Sequence, residues 1–393
     1  MYPERFSTLP AYAFPRLRAL LEGVPAGGDP LLMTIGEPKH AFPAWIADVL
    51  AENLSGFGNY PTNEGRPELL EACAAWVKRR YGVALDADRN FLALNGTREG
   101  LYNVGMALGP EEKNGQPVVL MPNPFYPVYM ISAISHGAQS VFVPATAETG
   151  HLPDYQSLSE EVLNRTTLCY ICSPANPQGA VASKDYWKAL LNLAETYDFK
   201  VLADECYSEI YRDAPPPGIL EVAHEMGVDP ERVVAFHSLS KRSNVPGLRS
   251  GFAASGPENI VRMKQLRSYA GAPSPMPLQA VAAKLWNEES HVVENRRLYR
   301  EKYAAADAIM ADVPGYLPPE AGFFLWLPIK DGEAATLRLW RETGVKVLPG
   351  GYLSQDGPTG NPGQDYIRVA MVADLDQTKR GLETLRDCLF EVK

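Results

Sequence analysis

The stretch VVAFHSLSKRSNVPGLRSGF, residues 233–252, carries the clearest structural signal in the chain. The apolar residues 233–236 predict a buried strand, and two serines and a lysine follow that strand directly. A Pro-Gly turn, Arg249 and a second apolar run complete the stretch. Small hydroxyls beside Lys241, with a second cation close behind, favour a phosphate bound next to a reactive amine. A solvated loop could carry the same short pattern. The residues that follow the other strands are needed to choose between a phosphate site and a solvated loop.

The composition predicts a globular enzyme of two or three domains. The chain has 393 residues, and a typical domain takes about 150. Its net charge of -10 disfavours a general nucleic-acid or anionic-membrane binder, which needs a basic face. No apolar run reaches the ~18 residues of a membrane span. We therefore expect neither nucleic acid nor membrane as a partner.

The cysteines and the N-terminus predict a cytoplasmic protein. Five cysteines, an odd number, do not make a disulfide framework, and residues 1–7 lack the regions of a signal peptide. Cys169 and Cys172 form a Cys-x-x-Cys, but they lie in a predicted strand and point to opposite faces. We expect buried structural thiols there, and no metal site.

Seven apolar runs alternate with helical segments, which indicates an α/β fold. The predicted strands are residues 91–94, 118–121, 140–143, 168–172, 200–203, 233–236 and 251–254. Continuous apolar strands are typical of a mainly parallel sheet covered on both faces, and ligands bind at the carboxyl ends of such strands. Thr97, Asp204 and Lys241 follow strands and should meet at that edge. Residues 278–312 predict a long helical region, and 323–327, 345–348 and 366–370 predict strands of a smaller domain.

Eight motifs in the same order resemble those of pyridoxal-phosphate-dependent aminotransferases of fold type I, over nearly the whole chain. They are residues 36–38 (GEP), 60–61 (YP), 95–99 (NGTRE), 122–129 (PNPFYPVY), 173–179 (SPANPQG), 203–207 (ADECY), 238–241 (SLSK) and 366–369 (YIRV). The resemblance implies the fold type I transferase fold: a mainly parallel seven-stranded sheet with helices on both faces, plus a smaller α/β domain. It also implies pyridoxal 5'-phosphate as cofactor, small amino-acid and 2-oxo-acid substrates, and a homodimer with shared active sites.

The resemblance also suggests a division of the chain. Residues 1–45 would form an N-terminal arm and part of the small domain. Residues 46–280 would form the large domain that binds pyridoxal phosphate, and residues 281–393 the small C-terminal domain.

Four residues match the groups that act on the cofactor ring in this family. Lys241 would bind the cofactor covalently and later move the substrate proton, which requires a pKa below the usual value of about 10.4. Asp204 would pair with the protonated pyridine nitrogen, and Asn176 and Tyr207 would donate hydrogen bonds to the phenolic oxygen. A loop lysine, a helix N-cap and an Asn-Pro turn are the structural alternatives for Lys241, Asp204 and Asn176.

Other matching residues would hold the phosphate, the ring face and the substrate. The remaining cofactor-binding residues would be Gly96, Thr97, Arg98, Ser238, Ser240 and Arg249, with Tyr60 reaching in from the neighbouring subunit. Tyr126 would stack on the ring, unless it belongs to an aromatic core cluster with its neighbours. Gly36, Asn176 and Arg368 would bind the substrate, with Arg368 on its α-carboxylate.

Within the family, residues 237–252 are similar to those of bacterial succinyldiaminopimelate transaminases, and residues 242–244 most of all. That likeness implies transamination between N-succinyl-LL-2,6-diaminopimelate and 2-oxoglutarate, a step of lysine biosynthesis. Such a substrate needs further cations, for which Lys39, Arg98, Arg242 and Arg267 are candidates. We expect Arg98 or Arg242 to bind the distal carboxylates.

Two other functions remain open for this sequence. One is an aromatic, alanine or aspartate-type aminotransferase, or a β-lyase, with the same fold. The other is a regulator that binds pyridoxal phosphate without turning over a substrate. Regulators of that kind carry a DNA-binding helix-turn-helix, for which the N-terminal arm is too short.

Overall fold

The computed structural model describes residues 3–7 and 9–390. The strands are β1 (Leu31–Leu32), β2 (Phe91–Leu94), β3 (Val118–Asn123), β4 (Gln139–Pro144), β5 (Thr166–Cys172), β6 (Lys200–Asp204), β7 (Val233–Ser238), β8 (Gly251–Ser255), β9 (Phe324–Pro328), β10 (Val345–Lys346), β11 (Leu348–Pro349) and β12 (Tyr366–Ala370). The α-helices are α1 (Ala13–Leu20), α2 (Ile46–Glu52), α3 (Pro67–Tyr81), α4 (Ala87–Asn90), α5 (Thr97–Leu108), α6 (Pro127–Ser135), α7 (Glu160–Arg165), α8 (Lys184–Tyr197), α9 (Ile219–Met226), α10 (Leu239–Arg242), α11 (Pro257–Ala270), α12 (Met276–Asn287), α13 (Ser290–Met310), α14 (Gly332–Thr343) and α15 (Leu375–Leu389).

A seven-stranded sheet forms the centre of the fold, in the order β2-β8-β7-β6-β5-β3-β4. Strands β7, β6, β5, β3 and β4 are parallel to one another, and β8 runs antiparallel to both of its neighbours. Each of the seven predicted apolar runs forms one of these strands. The predicted fold class is therefore confirmed.

Alternate residues of each central strand enter two different cores. In β7, Val233 and Ala235 face a core that holds the buried side chains of Trp76, Trp187 and Trp286. Val234 and Phe236 face the opposite core, with Tyr129 and Tyr170. Since both faces are covered, the strands are apolar throughout, as their sequences predicted.

A third core lies around α13, α15 and the small strands, and two residues near the N-terminus join it. Leu31 and Met33 pack there with Tyr299, Phe323 and Leu382. The predicted division of the chain at residues 45 and 280 stays a prediction. Residues 1, 2, 8 and 391–393 of the predicted outer segments lie outside the described residues.

Two element predictions in the C-terminal part were wrong in detail. Residues 345–348 form two short strands in different sheets, because β10 pairs with β1 while β11 pairs with β12. Residues 278–312 form two helices, since Glu288 adopts an extended backbone after α12. Strand β12 has the bounds that the sequence predicted.

The cysteines lie in the interior or at partly covered positions. Cys169 and Cys172 are buried free thiols, as predicted, and the other three cysteines are also free. In the part of the chain that the structure describes, no helix is long and apolar enough to span a membrane. Within residues 3–7 and 9–390, no cluster of three His, Cys, Asp or Glu side chains could hold a metal.

Candidate active site

A cavity of about 530 Å³ opens at the carboxyl ends of the parallel strands. Most of the predicted site residues line it: Gly36, Thr97, Arg98, Tyr126, Asn176, Asp204, Tyr207, Ser238, Ser240, Lys241, Arg249 and Arg368. Gly96 lies directly behind the wall as the N-cap of α5, whereas Tyr60 is fully exposed and is not among the described lining residues of this chain's cavity. Residues that are far apart in the sequence therefore meet at the carboxyl edge of the sheet, as the polar residues after the strands predicted.

The amine of Lys241 lies inside the cavity, where it loses its proton more readily than a free lysine does. Its Nζ donates a hydrogen bond to the carbonyl oxygen of Gly36. Burial lowers the pKa of Lys241 to about 8, and the guanidinium groups of Arg368 and Arg249 act in the same direction. A neutral amine is the form that can attack an aldehyde. The solvated-loop alternative for this lysine does not fit its burial.

Asp204 ends β6 as a buried carboxylate with two hydrogen-bond donors. Tyr129 donates from its hydroxyl to Oδ2 at 2.7 Å, and the main-chain N–H of Cys206 donates to Oδ1 at 3.3 Å. Burial raises the pKa of Asp204, and these donors together with the charge of Lys241 oppose that shift. The sequence did not predict the contact between Tyr129 and Asp204, since Tyr129 was considered only as a neighbour of Tyr126 in a possible aromatic cluster. Its position on the first turns of α6, after a strand end, was the available signal.

Arg368 offers a guanidinium to the cavity from β12. Its Nη2 donates to the carbonyl of Thr34 at 2.8 Å, and its Nη1 donates to Oδ1 of Asn176 at 3.2 Å. Its buried Nε has no hydrogen-bond partner among the described residues. Burial lowers the pKa of Arg368 to about 10. A buried donor of this kind suits a carboxylate supplied by a ligand.

Hydroxyls, main-chain N–H groups and an arginine gather at the junction of β2, β7 and β8. Ser238 caps α10 by accepting from the N–H of Ser240, and its hydroxyl donates to the hydroxyl of Ser240 at 3.0 Å. Gly96 has φ +80°, and a Cβ there would lie 2.1 Å from Nη2 of Arg249. A side chain at this position would be strained by the positive φ and would also displace the Arg249 guanidinium from the start of α5. The arrangement suits a phosphate dianion.

Tyr126 and Arg98 form the outer wall of the cavity. Nε of Arg98 donates to the Tyr126 hydroxyl at 2.6 Å, and the Tyr126 ring meets that of Tyr129 edge-on at 5.7 Å. Both Phe125 and Tyr126 line the cavity, but Phe125 is buried in the core whereas Tyr126 is only half-buried. The ring of Tyr126 is therefore accessible to a ligand.

Two of the candidate substrate cations were wrong, because their guanidinium groups are used elsewhere in the fold. Arg242 is buried and donates to the carbonyls of Leu285 and Glu288 and to the carboxylate of Glu289. Arg267 is buried against Glu99 at 3.0 Å. Neither residue is among those that line the cavity within the described chain.

Lys39, the remaining candidate besides Arg98, is also placed unfavourably for binding a substrate in the cavity. It is exposed and pairs with Glu37 at 2.9 Å. Glu37 lines the cavity, and Lys39 is not among the described lining residues. Of the four candidate cations, Arg98 is the one that reaches the site.

The family described as Aminotransferase class I and II has a sequence model that matches residues 28–385. The chain belongs to this family. The LL-diaminopimelate aminotransferase of Syntrophobacter fumaroxidans is 32% identical over 403 residues, which cover 98% of this chain and 98% of that protein. The family match covers almost the whole region that holds the cavity residues.

Solved structures of other aminotransferases share the fold of this class I and II aminotransferase. An aminotransferase from Neisseria meningitidis superposes with a TM-score of 0.93 at 39% identity, and covers 98% of this chain and 99% of its own. A probable N-succinyldiaminopimelate aminotransferase from Thermus thermophilus gives a TM-score of 0.84 at 27% identity, with coverage of 96% and 99%.

Aminotransferases of this family depend on pyridoxal phosphate, and the cavity of this one fits that cofactor. The amine of Lys241 and the carboxylate of Asp204 are both buried, and both line the cavity. The hydroxyls of Ser238 and Ser240 lie near Gly96 and Arg249, in a separate part of the cavity that suits an anion. The aldehyde of the cofactor would face the amine of Lys241, its pyridine nitrogen the carboxylate of Asp204, and its phosphate the serine hydroxyls and Arg249.

Tyr129→Phe should shift the acid limb of the pH profile of kcat to higher pH. The variant removes a hydrogen bond to a carboxylate, worth about 1.5–3 kcal/mol, and about 1.4 kcal/mol corresponds to one pKa unit. Without this donor the pKa of Asp204 rises further, so the carboxylate is lost at higher pH. We expect the acid limb of the kcat profile to move up by about one pH unit or more.

Tyr155→Phe is the matched control, since the Tyr155 hydroxyl is buried and donates to the carbonyl of Tyr170 at 2.6 Å. Its acid limb should stay in place. Equal displacement in both variants, or none in Tyr129→Phe, would contradict the assignment of Tyr129 to Asp204.

Proposed function

We propose that this aminotransferase exchanges an amino group between a diaminopimelate and 2-oxoglutarate. The observation that carries the proposal is the presence of two arginines, Arg368 and Arg98, in one cavity with the amine of Lys241. Two separated guanidinium groups suit a substrate with a carboxylate at each end, which both compounds possess. The similarity to LL-diaminopimelate aminotransferases supports the same substrate class.

The protein residues would divide the work as follows. When bound, pyridoxal phosphate supplies the electron sink for the substrate's α-carbon. Lys241 would hold the cofactor and afterwards move the α-proton, and Asp204 would keep the ring nitrogen protonated. Asn176 and Tyr207 would donate to the phenolic oxygen. Arg368 would orient the α-carboxylate, and its contact with Asn176 couples the two positions.

The charges in the cavity favour free LL-diaminopimelate over its N-succinyl derivative. The cations among the described lining residues are Arg98, Lys241, Arg249 and Arg368. The cofactor would use Lys241 and Arg249. We assign the Arg98 guanidinium to the substrate instead of the cofactor, with which the sequence prediction grouped it, so two cations remain for two carboxylates. Glu37 could meet the distal ammonium of LL-diaminopimelate. The succinylated compound replaces that ammonium with an amide and adds a third carboxylate.

N-succinyl-LL-2,6-diaminopimelate remains the second candidate, supported by the likeness to the Thermus thermophilus structure. The motif that favoured it, residues 242–244, has mainly structural contacts. Arg242 pairs with Glu289, and the Ser243 hydroxyl lies 2.8 Å from Nε2 of His291. That motif therefore supports the packing of α10 against α12 and α13 more than the choice of substrate.

A substrate panel tests the proposal directly. Purified holoenzyme should convert 2-oxoglutarate to glutamate with LL-diaminopimelate as donor, at a kcat/KM at least about tenfold above that for the N-succinyl derivative, as one extra unmatched charge predicts. A preference for the N-succinyl derivative would reverse the order of the two candidates. Strong turnover of aromatic amino acids or alanine with neither diaminopimelate, or β-elimination, would refute the proposal.

Arg98→Ala should separate dicarboxylate from monocarboxylate substrates. Loss of a charge-assisted contact of about 1.5–3 kcal/mol predicts a rise in KM for 2-oxoglutarate of roughly tenfold to a hundredfold. The KM for pyruvate should change by less than about threefold, since pyruvate has no distal carboxylate.

Arg18→Ala is the control, because Arg18 is an exposed arginine on α1. It should leave both constants unchanged. An equal rise for both acceptors in Arg98→Ala would show that Arg98 supports the cavity wall through Tyr126 and does not bind the distal carboxylate.

We also infer that the enzyme is a homodimer with shared active sites. Leu54, Phe57 and Tyr60 are exposed within one short stretch, and Tyr269 is 90% exposed. Large apolar side chains gathered at the surface are typical of an interface. Tyr60 is fully exposed in its own chain. Its hydroxyl would reach the phosphate in the cavity of a second copy.

Tyr60→Phe should weaken cofactor binding and leave the dimer intact. One lost hydrogen bond to a phosphate predicts an increase in the Kd for pyridoxal phosphate of roughly tenfold or more. Cofactor titration of the apoenzyme measures the Kd, and sedimentation gives the oligomeric state. Tyr269→Phe serves as the control and should bind as the wild type does. A fully active monomer, or an unchanged Kd in Tyr60→Phe, would contradict the inference.

A further inference from the structure

A second buried lysine lies outside the cavity, in α13. Lys302 is 1% exposed, and burial lowers its pKa to about 8, against the opposing charge of Asp374. Its Nζ lies 2.7 Å from Nε2 of His40 and 3.2 Å from the carbonyl oxygen of Met371. The ring of Tyr299 lies beneath it, with Nζ 4.9 Å from the ring centroid. Burying a charged amine costs free energy unless hydrogen bonds compensate for the lost water. The groups that Lys302 contacts are therefore informative.

A chain of hydrogen bonds leads from Lys302 through His40 and Asn295 to the main-chain carbonyl of Lys241. A charged amine only donates, so Nε2 of His40 must accept, and its Nδ1–H is left to donate. Oδ1 of Asn295 accepts that bond at 2.8 Å. The amide nitrogen of Asn295 then donates to the carbonyl of Lys241 at 3.3 Å. Burial and the charge of Lys302 lower the pKa of His40, which keeps the imidazole neutral as the chain of bonds requires.

The same contacts hold the segment that receives the amine of Lys241. His40 lies four residues after Gly36 in the same loop, and the Gly36 carbonyl accepts the hydrogen bond from Nζ of Lys241. The ring of His40 packs on Tyr299 with centroids 4.5 Å apart. Lys241 is therefore fixed at both ends, at its main-chain carbonyl through Asn295 and at its amine through the segment that His40 anchors.

We propose that Lys302 and His40 are positioning residues for the amine of Lys241. Neither is among the described residues that line the cavity, and they act through Asn295 and through the loop that carries Gly36. Their contribution is to keep the amine in place for attack on the cofactor aldehyde. The inference rests on the proposed role of Lys241 as the residue that binds the cofactor.

The rate of covalent cofactor attachment to the apoenzyme tests the inference. Stopped-flow absorbance after mixing with pyridoxal phosphate gives the rate constant, and borohydride reduction with peptide mass analysis identifies the attached lysine. Lys302→Met and His40→Phe should each slow attachment about tenfold, as the loss of one buried directed bond predicts. Lys302→Arg, which can still donate to both acceptors, should recover the rate to within about threefold.

Lys113→Met is the matched control, since the Lys113 amine donates to the carbonyls of Thr166, Tyr197 and Asp198, away from the cavity. It should lower the Tm and leave the attachment rate unchanged. A wild-type rate in folded Lys302→Met and His40→Phe would overturn the inference, as would equal slowing in Lys113→Met. If Lys302→Met does not fold, His40→Phe decides, because its ring still packs on Tyr299.

Lys241→Ala separates this inference from the proposed function. Loss of attachment in Lys241→Ala, with wild-type rates in the Lys302 and His40 variants, would refute the positioning role alone. Attachment that persists in Lys241→Ala would refute the proposed role of Lys241, and the positioning inference with it.

Discussion

Burial of the Lys241 amine is the constraint on which the rest of the site depends. Removing a lysine from water favours its neutral form, and the cations Arg368 and Arg249 add to this effect. The surroundings must therefore exclude water, supply one acceptor and place positive charge nearby without a carboxylate in direct contact. The Gly36 carbonyl is that acceptor. Glu37 partly opposes the shift, but it is exposed and pairs with Lys39.

A lowered lysine pKa does not by itself identify a reactive amine in this protein. Lys241 and Lys302 are both shifted to about 8, and burial is the first cause in each. They differ in what surrounds the amine. Nζ of Lys302 lies between His40 and a main-chain carbonyl, whereas Lys241 borders a cavity that also holds Asp204. Access to a ligand, and not the pKa, distinguishes the two.

Local sequence patterns predicted the strands and the polar strand ends, since both depend on short-range periodicity and on one rule about parallel sheets. They could not predict the direction of long side chains. Arg242 directly follows Lys241, yet its guanidinium packs between Trp76 and Trp286 and bonds to α12. Tyr129 and Lys302 were missed for the same reason. Their partners are 75 and 262 residues away in the sequence, so only the tertiary packing reveals the contacts.

The antiparallel direction of β8 explains why Ser238, Arg249 and the start of α5 assemble at one edge of the sheet. Strand β7 ends at Ser238, which lies opposite Gly251 at the start of β8, so the whole loop between them stays at the carboxyl edge. That loop carries both Lys241 and Arg249, whereas a parallel β8 would have required a crossover to the other edge. On its other side Gly251 lies opposite Leu94, the end of β2, which brings Thr97 beside Ser238. A Cβ at Gly251 would lie 2.5 Å from the His237 carbonyl and 3.1 Å from Cγ2 of Thr97. The absence of a side chain at Gly251 therefore lets the start of α5 and the end of β7, which carry Thr97 and Ser238, come close together.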